Sequence, residues 1–99
     1  MKGSERAKLR AMANTLEPIV HIGKDGITEN LVKQVDDALT ARELIKGKAL
    51  ETAPESAREA AETIAAAVGA EVVQVIGRVF VLYRRNDEEP KIVLPKGRN

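Results

Sequence analysis

Apolar residues in this chain recur at three- and four-residue steps, then at two-residue steps, and the two periods keep alternating along its length. Helices and strands must therefore interleave, which disfavours both a helical bundle and an all-strand sandwich. Leu9, Met12, Ala13 and Leu16 share one face of a first helix that Ser4 is placed to cap. Pro18 ends it, because the residue before a proline already disfavours helix. Ile19 to Ile22 reads as a short strand. Thr28 fits as the N-cap of a second helix carrying Leu31, Val32, Val35, Ala38 and Leu39 on one side. From Leu44 to Leu50, Ile45, Gly47 and Ala49 alternate with Lys46 and Lys48, which predicts a strand with a charged face toward solvent.

Pro54 suits the first turn of a third helix, where a missing N–H costs nothing. Its buried stripe is Ala57, Ala60, Ala61, Ile64, Ala65 and Val68, and Gly69 fits just past its end. Alanines on that stripe imply close approach to whatever it packs on. Val72 to Ile76 and Val79 to Arg84 are rich in β-branched residues and flank Gly77-Arg78, so they read as a hairpin. Beyond Asn86-Asp87 and Pro90, the segment Ile92-Val93-Leu94 is expected to add an edge strand or an extended tail over 85–99. The order is α-β-α-β-α-β-β. The simplest architecture is a two-layer α/β domain over 1–99 with a four-stranded mixed sheet.

Ninety-nine residues suffice for one domain with its own core. Cysteine is absent, which excludes disulfides, a thiolate zinc site and a cysteine nucleophile. No apolar stretch approaches membrane-spanning length and the start is charged, so a soluble, cytoplasmic protein is expected. The overall charge of +1 hides a strong asymmetry. Residues 49–71 hold five acids and one base, a net of −4, which leaves +5 on the rest. A solvated acidic helix accounts for the first part. The basic surplus is the local field that would steer a polyanion.

Gly23-Lys24-Asp25-Gly26 falls where the first strand gives way to the second helix. Chance supplies a Gly-x-x-Gly pair about half the time in such a composition, so placement carries the argument. Glycines there allow backbone N–H groups close to a phosphate, and the helix start adds its positive dipole. The competing reading is a turn that needs glycines for positive φ. Arg6 and Arg10 lie one turn apart on the first helix, Lys46 and Lys48 share a strand face, and Arg78, Arg84 and Arg85 lie at or after the hairpin turn. Each has a bland alternative: a solvated helix face, or edge-strand lysines that oppose aggregation. His21 has no partner histidine, so a surface or structural role is expected and no metal. Asp36-Asp37 point about 100° apart on a helix, and the two serines have no nearby histidine. No catalytic set, cofactor or small-molecule substrate is expected. Phe80 and Tyr83 are the only aromatics, so base stacking is scarce.

Four blocks then resemble a known family: Glu17 through Glu29, Glu43-Leu44-Ile45-Lys46, Val73 through Arg84, and Lys91-Ile92-Val93-Leu94-Pro95. In that order they are similar to the CRM domain, named for chloroplast RNA splicing and ribosome maturation, and specifically to its bacterial stand-alone, YhbY-type members. The resemblance implies a fold similar to the C-terminal domain of translation initiation factor 3, and binding to RNA in precursors of the large ribosomal subunit. It also implies that Gly23, Lys24, Asp25 and Gly26 form an RNA-contacting loop; by their placement, Arg6, Arg10, Lys46, Lys48, Arg78 and Arg84 are expected as flanking contacts continuing a phosphate track. A monomer is expected. Family members usually carry an aliphatic residue where this chain has Gly47, so the second strand is expected to be weak or bulged there. Asp25 either sets a carboxylate against phosphate or caps backbone N–H groups. The alternatives are a general, Alba-like nucleic-acid binder and a protein-interaction module using the acidic third helix.

Overall fold

The computed structural model describes residues 2–92. Helix α1 (Gly3–Ala13), strand β1 (Val20–Ile22), helix α2 (Glu29–Arg42), strand β2 (Leu44–Ala49), helix α3 (Ala57–Val68) and strands β3 (Glu71–Ile76) and β4 (Val79–Tyr83) follow in the expected order. The sheet runs β1-β2-β4-β3. β1 is parallel to β2, and β4 is antiparallel to both β2 and β3. The last of the described strands thus lies inside the sheet, and β2, which carries Lys46 and Lys48, is an inner strand. The edge-strand explanation for those lysines therefore falls away. Val93 and Leu94, expected to extend the sheet or form a tail, lie outside the described residues, and none of residues 84–92 is in a strand.

Local chemistry sets the helix starts. The Thr28 hydroxyl accepts from the Leu31 N–H at 3.1 Å, as expected. At α3 a reciprocal pair closes the first turn: Glu59 N–H donates to Ser56 Oγ and Ser56 N–H to Glu59 Oε1. That pair fixes the start at Ser56, so Pro54 sits in the preceding turn rather than in the helix. A similar correction applies to α1. Lys2 N–H donates to Glu5 Oε1 and Arg6 N–H to the Lys2 carbonyl, which makes Lys2 the cap and places Ser4 inside the first turn. Gly69 ends α3 at φ 70°, in the left-handed region.

Strand alternation divides the interior into two clusters. Val20, Ile22, Ile45, Ala49, Phe80 and Leu82 point toward α2 and α3, where the small residues Ala57, Ala60, Ala61 and Ala65 let α3 approach closely. Leu44, Val73, Val81 and Tyr83 point the other way and are covered by Leu9 and Ala13 of α1. The two-layer expectation describes the α2/α3 side, and α1 adds a partial layer on the opposite face. Met12, expected on the buried stripe, is 36% exposed.

Gly47 is not a weak point. It pairs in unbroken register with Phe80 of β4, and a Cβ there would stand 2.4 Å from the ring's Cζ. The Phe80 ring therefore lies over the glycine and fills the space an aliphatic side chain would take. The irregularity is in β3, where the register shifts between Val72 and Gln74. Arg6 reaches this bulge and donates to the carbonyls of Val72 and Val73, both at 2.8 Å.

Glu43, between α2 and β2, is fully buried and has φ 66°. Its carboxylate accepts the backbone N–H groups of Asn86, Lys91 and Ile92, each at 2.7 Å, and so fastens the chain after β4 against α1 and β2. Burial pushes the carboxyl pKa up, but the three N–H donors and Arg85 outweigh it and the net shift is downward. Tyr83 beside it is shifted upward, by burial first and by the Glu43 charge second.

Candidate nucleic-acid interface

Pairing register decides which candidate residues meet. Ile22 is opposite Ala49, and the Leu50 N–H donates to the Ile22 carbonyl at 2.9 Å. Lys48 is opposite Val79, and the Ala49 N–H donates to the Arg78 carbonyl at 2.8 Å. The Gly23–Gly26 loop and the hairpin tip at Gly77-Arg78 therefore emerge from the same end of the sheet. With neighbouring strands about 4.8 Å apart, the loop on β1 and the tip on β4 are separated laterally by about 10 Å.

The loop closes on itself through a hydrogen bond from the Gly26 N–H to the Gly23 carbonyl, at 3.0 Å. Its two glycines have different reasons. Gly26 has φ 70°, and a Cβ on it would stand 3.0 Å from Pro54 Cγ and 3.2 Å from both carboxylate oxygens of Glu55. Both its conformation and the segment packed behind it demand glycine. Gly23 has no positive φ, and a Cβ there would meet only Thr52 Oγ1, at 4.0 Å. The fold would accept alanine at 23. Lys24 and Asp25 are exposed at the tip. No hydrogen bond is made to the Asp25 carboxylate, so the capping alternative for that residue is not realised among the described residues.

On the face partly covered by α1, one row crosses all four strands: His21, Lys48, Val79 and Ile76. It lies beyond the residues that α1 covers. His21 is exposed, Lys48 half-buried, and Ile76 is 65% exposed. Lys46 shares this face one pair further along β2, opposite Val81. Among the described residues, Lys24, Lys46, Lys48, Arg10 and Arg78 make no ion pair or side-chain hydrogen bond within the chain. Their charges are available. Arg10 is exposed on α1, over the same face of the sheet.

Two of the expected contacts stand apart. Arg6 is turned into the β3 bulge. Arg84 follows Tyr83 at the opposite end of β4 from the hairpin tip, and its guanidinium is already committed. It pairs with Asp36, donates to the Val68 carbonyl at 2.9 Å and the Asp36 carbonyl at 3.0 Å, and reaches Thr40 Oγ1 at 2.9 Å. It thereby ties the end of α3 to α2. Tyr83, one of the two aromatics, is 6% exposed beneath α1 and open to no base. Sequence reasoning missed Thr52, Pro54 and Glu55 as the backing of the glycine loop. They lie some thirty residues further on, and only the parallel β1–β2 pairing brings them there.

A shallow groove of about 550 Å³ lies elsewhere, between α2 and α3. Of its charged lining, Asp36 is bonded to Arg84, and Lys33 pairs with Asp37 at 3.5 Å. Among the described residues no three His, Cys, Asp or Glu side chains gather as a metal ion would require. No described helix is long and apolar enough to cross a membrane.

Comparison with known proteins identifies the family. Residues 1–84 match the model of the CRS1/YhbY (CRM) domain. "Probable RNA-binding protein YqeI" of Bacillus subtilis is 38% identical over 95 residues, covering 96% of this chain and 99% of that protein. "Probable RNA-binding protein MJ0652" of Methanocaldococcus jannaschii is 41% identical over 98 residues, covering 97% of this chain and 72% of that one. A solution structure from Staphylococcus aureus, described as that of "a putative RNA binding protein", superposes with a TM-score of 0.79 at 44% identity, over 96% of this chain and 99% of the other. The chain belongs to the CRS1/YhbY (CRM) domain family.

Proposed function

We propose that this protein is a non-catalytic, monomeric RNA-binding protein that holds the RNA backbone at the loop end of its sheet and assists assembly of the large ribosomal subunit. The observation that carries the reading is Gly23. The fold supplies no steric or conformational need for glycine there, while a ligand approaching the loop backbone does. Around it, Lys24, Lys48, Lys46 and Arg78 present unpaired positive charge on one end and one face of the sheet, with Arg10 over the same face. Buried Tyr83 and Phe80 offer no platform for bases, which favours structured RNA read by its backbone and shape. The relatives named as RNA-binding proteins support the ligand class. The similarity to family members found with large-subunit precursors supports ribosomal RNA.

Salt titration of binding to a ribosomal RNA fragment tests the mechanism. If Lys24, Lys46, Lys48, Arg78 and Arg10 each neutralise one phosphate, log K should fall against log salt with a slope of about −4.5 for a duplex site. Replacing Lys24 and Arg78 by Glu should weaken binding and flatten that slope. A salt-insensitive affinity would refute the backbone mechanism. Equal affinity for duplex DNA would favour a general nucleic-acid binder. Unchanged RNA binding with a basic protein captured through α3 would favour the protein-interaction reading.

A further inference from the structure

The backbone of β2 is paired on both sides except at its start. Two bonds fix which way its groups point: the Arg84 N–H donates to the Glu43 carbonyl at 2.9 Å, and the Ala49 N–H to the Arg78 carbonyl at 2.8 Å. The backbone groups of Ile45, Gly47 and Ala49 therefore face β4, and those of Leu44, Lys46 and Lys48 face the β1 side. β1 begins only at Val20, opposite Gly47, and ahead of it the Ile19 N–H donates to the Lys46 carbonyl at 2.9 Å. The N–H and C=O of Leu44 and the N–H of Lys46 have no hydrogen-bond partner among the described residues. The end of α2 contributes to this. Past α3, the Ala70 N–H returns to the Ala65 carbonyl, but Glu43 has φ 66° and ψ −38°, and the Leu44 N–H returns to no helix carbonyl. Leu44 is 4% exposed, and native structures leave few buried backbone groups unpaired.

These groups border open space. A groove of about 220 Å³ lies between residues 15–19 and the start of β2, and one of about 340 Å³ continues it beneath Met12. Arg42 lines both and Lys46 lines the first. Arg42 is exposed and makes no ion pair or hydrogen bond among the described residues. We infer that the groove takes one unpaired nucleobase of the bound RNA, its edge on the Leu44 carbonyl and the Lys46 N–H and its phosphate on Arg42. Bases splayed out of loops and bulges are held by hydrogen bonds to their Watson–Crick edges, and every such edge sets a donor beside an acceptor. The apolar wall of Met12, Leu16 and Leu44 covers the base's face, so no aromatic is needed. An extended peptide also pairs with an open strand edge. Charge favours the nucleotide: Arg42 and Lys46 outnumber Glu17 at the groove, and Lys46 continues along β2 to Lys48 and the glycine loop. The inference rests on the RNA-backbone reading of that loop.

The test compares three forms of one RNA hairpin: fully paired, with a single bulged nucleotide, and with the same bulge as an abasic site. The full-length wild type should bind the bulged form about tenfold more tightly than the other two, the range of one or two net hydrogen bonds. Thr15→Trp fills the groove and leaves every basic residue in place; Thr15 is exposed and its hydroxyl donates to the Met12 carbonyl. That variant should lose the preference and bind the paired hairpin as wild type does. Arg42→Ala should reduce the preference. The Leu44 and Lys46 amide resonances should shift with the bulged hairpin and not with the abasic one. A preference that survives Thr15→Trp would put the base elsewhere and overturn the inference. So would protection of those two amides from exchange in the free protein, or their shifting only with an extended peptide. If Lys24→Glu weakens binding of all three hairpins while wild type treats them alike, the groove reading fails and the RNA reading stands. If wild type binds none of them, both fail.

Discussion

Replacing Glu43 by alanine should be among the most damaging single changes in this chain, although the residue is remote from the loop. Its carboxylate accepts three backbone N–H groups at 2.7 Å while fully buried. A hydrogen bond to a charged group contributes about 1.5–3 kcal/mol, and donors left unpaired in the interior add their desolvation cost. The three share one acceptor and are not additive, and part of the segment after β4 can rehydrate. A loss of about 3–6 kcal/mol is the reasonable expectation, against a total stability of about 5–15 kcal/mol for such a domain. Glycine at 43 should recover about 1 kcal/mol of that loss by relieving the positive φ. Urea unfolding reads the energies, and hydrogen exchange reads the mechanism through the amides of Asn86, Lys91 and Ile92, which should lose protection together. The effect should also depend on pH. Because the folded carboxyl is shifted below its ordinary value of 4.5, its contribution is present above that value and is lost as pH falls through the folded one. The gap between wild type and variant should therefore narrow in acid. An alanine variant within 1 kcal/mol of wild type at neutral pH, or those three amides exchanging fast in the wild type, would refute the reasoning.

Gly47→Ala should destabilise by about 1–3 kcal/mol through collision with the Phe80 ring, and Phe80→Leu in the same chain should return part of it, a coupling measurable in a double-mutant cycle. Arg84→Ala should lower stability by about 2 kcal/mol through loss of its bonds to Asp36, Thr40 and Val68, yet leave the salt slope of RNA binding unchanged. Gly23→Ala should melt like wild type but bind RNA more weakly. Gly26→Ala should cost about 1–2 kcal/mol from its positive φ alone, so a matching pair of melting curves would undo the distinction between the two glycines.

Much of this was legible in the chain itself, for identifiable reasons. Periodicity is a local property, and so the order of seven elements, the Thr28 cap and the Gly69 terminus could be read directly. The four blocks brought the family with them. What escaped was set by pairing across distance. Arg6 and Arg84 look like surface cations until the β3 bulge and the end of α3 present carbonyls to them. Gly47 looks like a defect until the register puts Phe80 opposite. Glu43 looked like part of a motif, and nothing near it in sequence announces that its three donors lie more than forty residues ahead. The helix start at Lys2 turned on a backbone-to-side-chain pair with Glu5 that a search for one capping residue does not weigh.

The position of β4 has a consequence for how the protein is made. A chain emerging from synthesis delivers β1, β2 and β3 first, yet β3 cannot join the other two until β4 arrives to lie between them. Before that, β2 has only its three-residue parallel neighbour, and the space over Gly47 lacks its ring. Folding is thereby deferred until nearly the whole domain is available, and a chain that stops short of Val79 has no cooperative sheet to form. A nascent chain cut before that residue should be digested by protease as readily as an unfolded one, and protection should appear abruptly once β4 has been made.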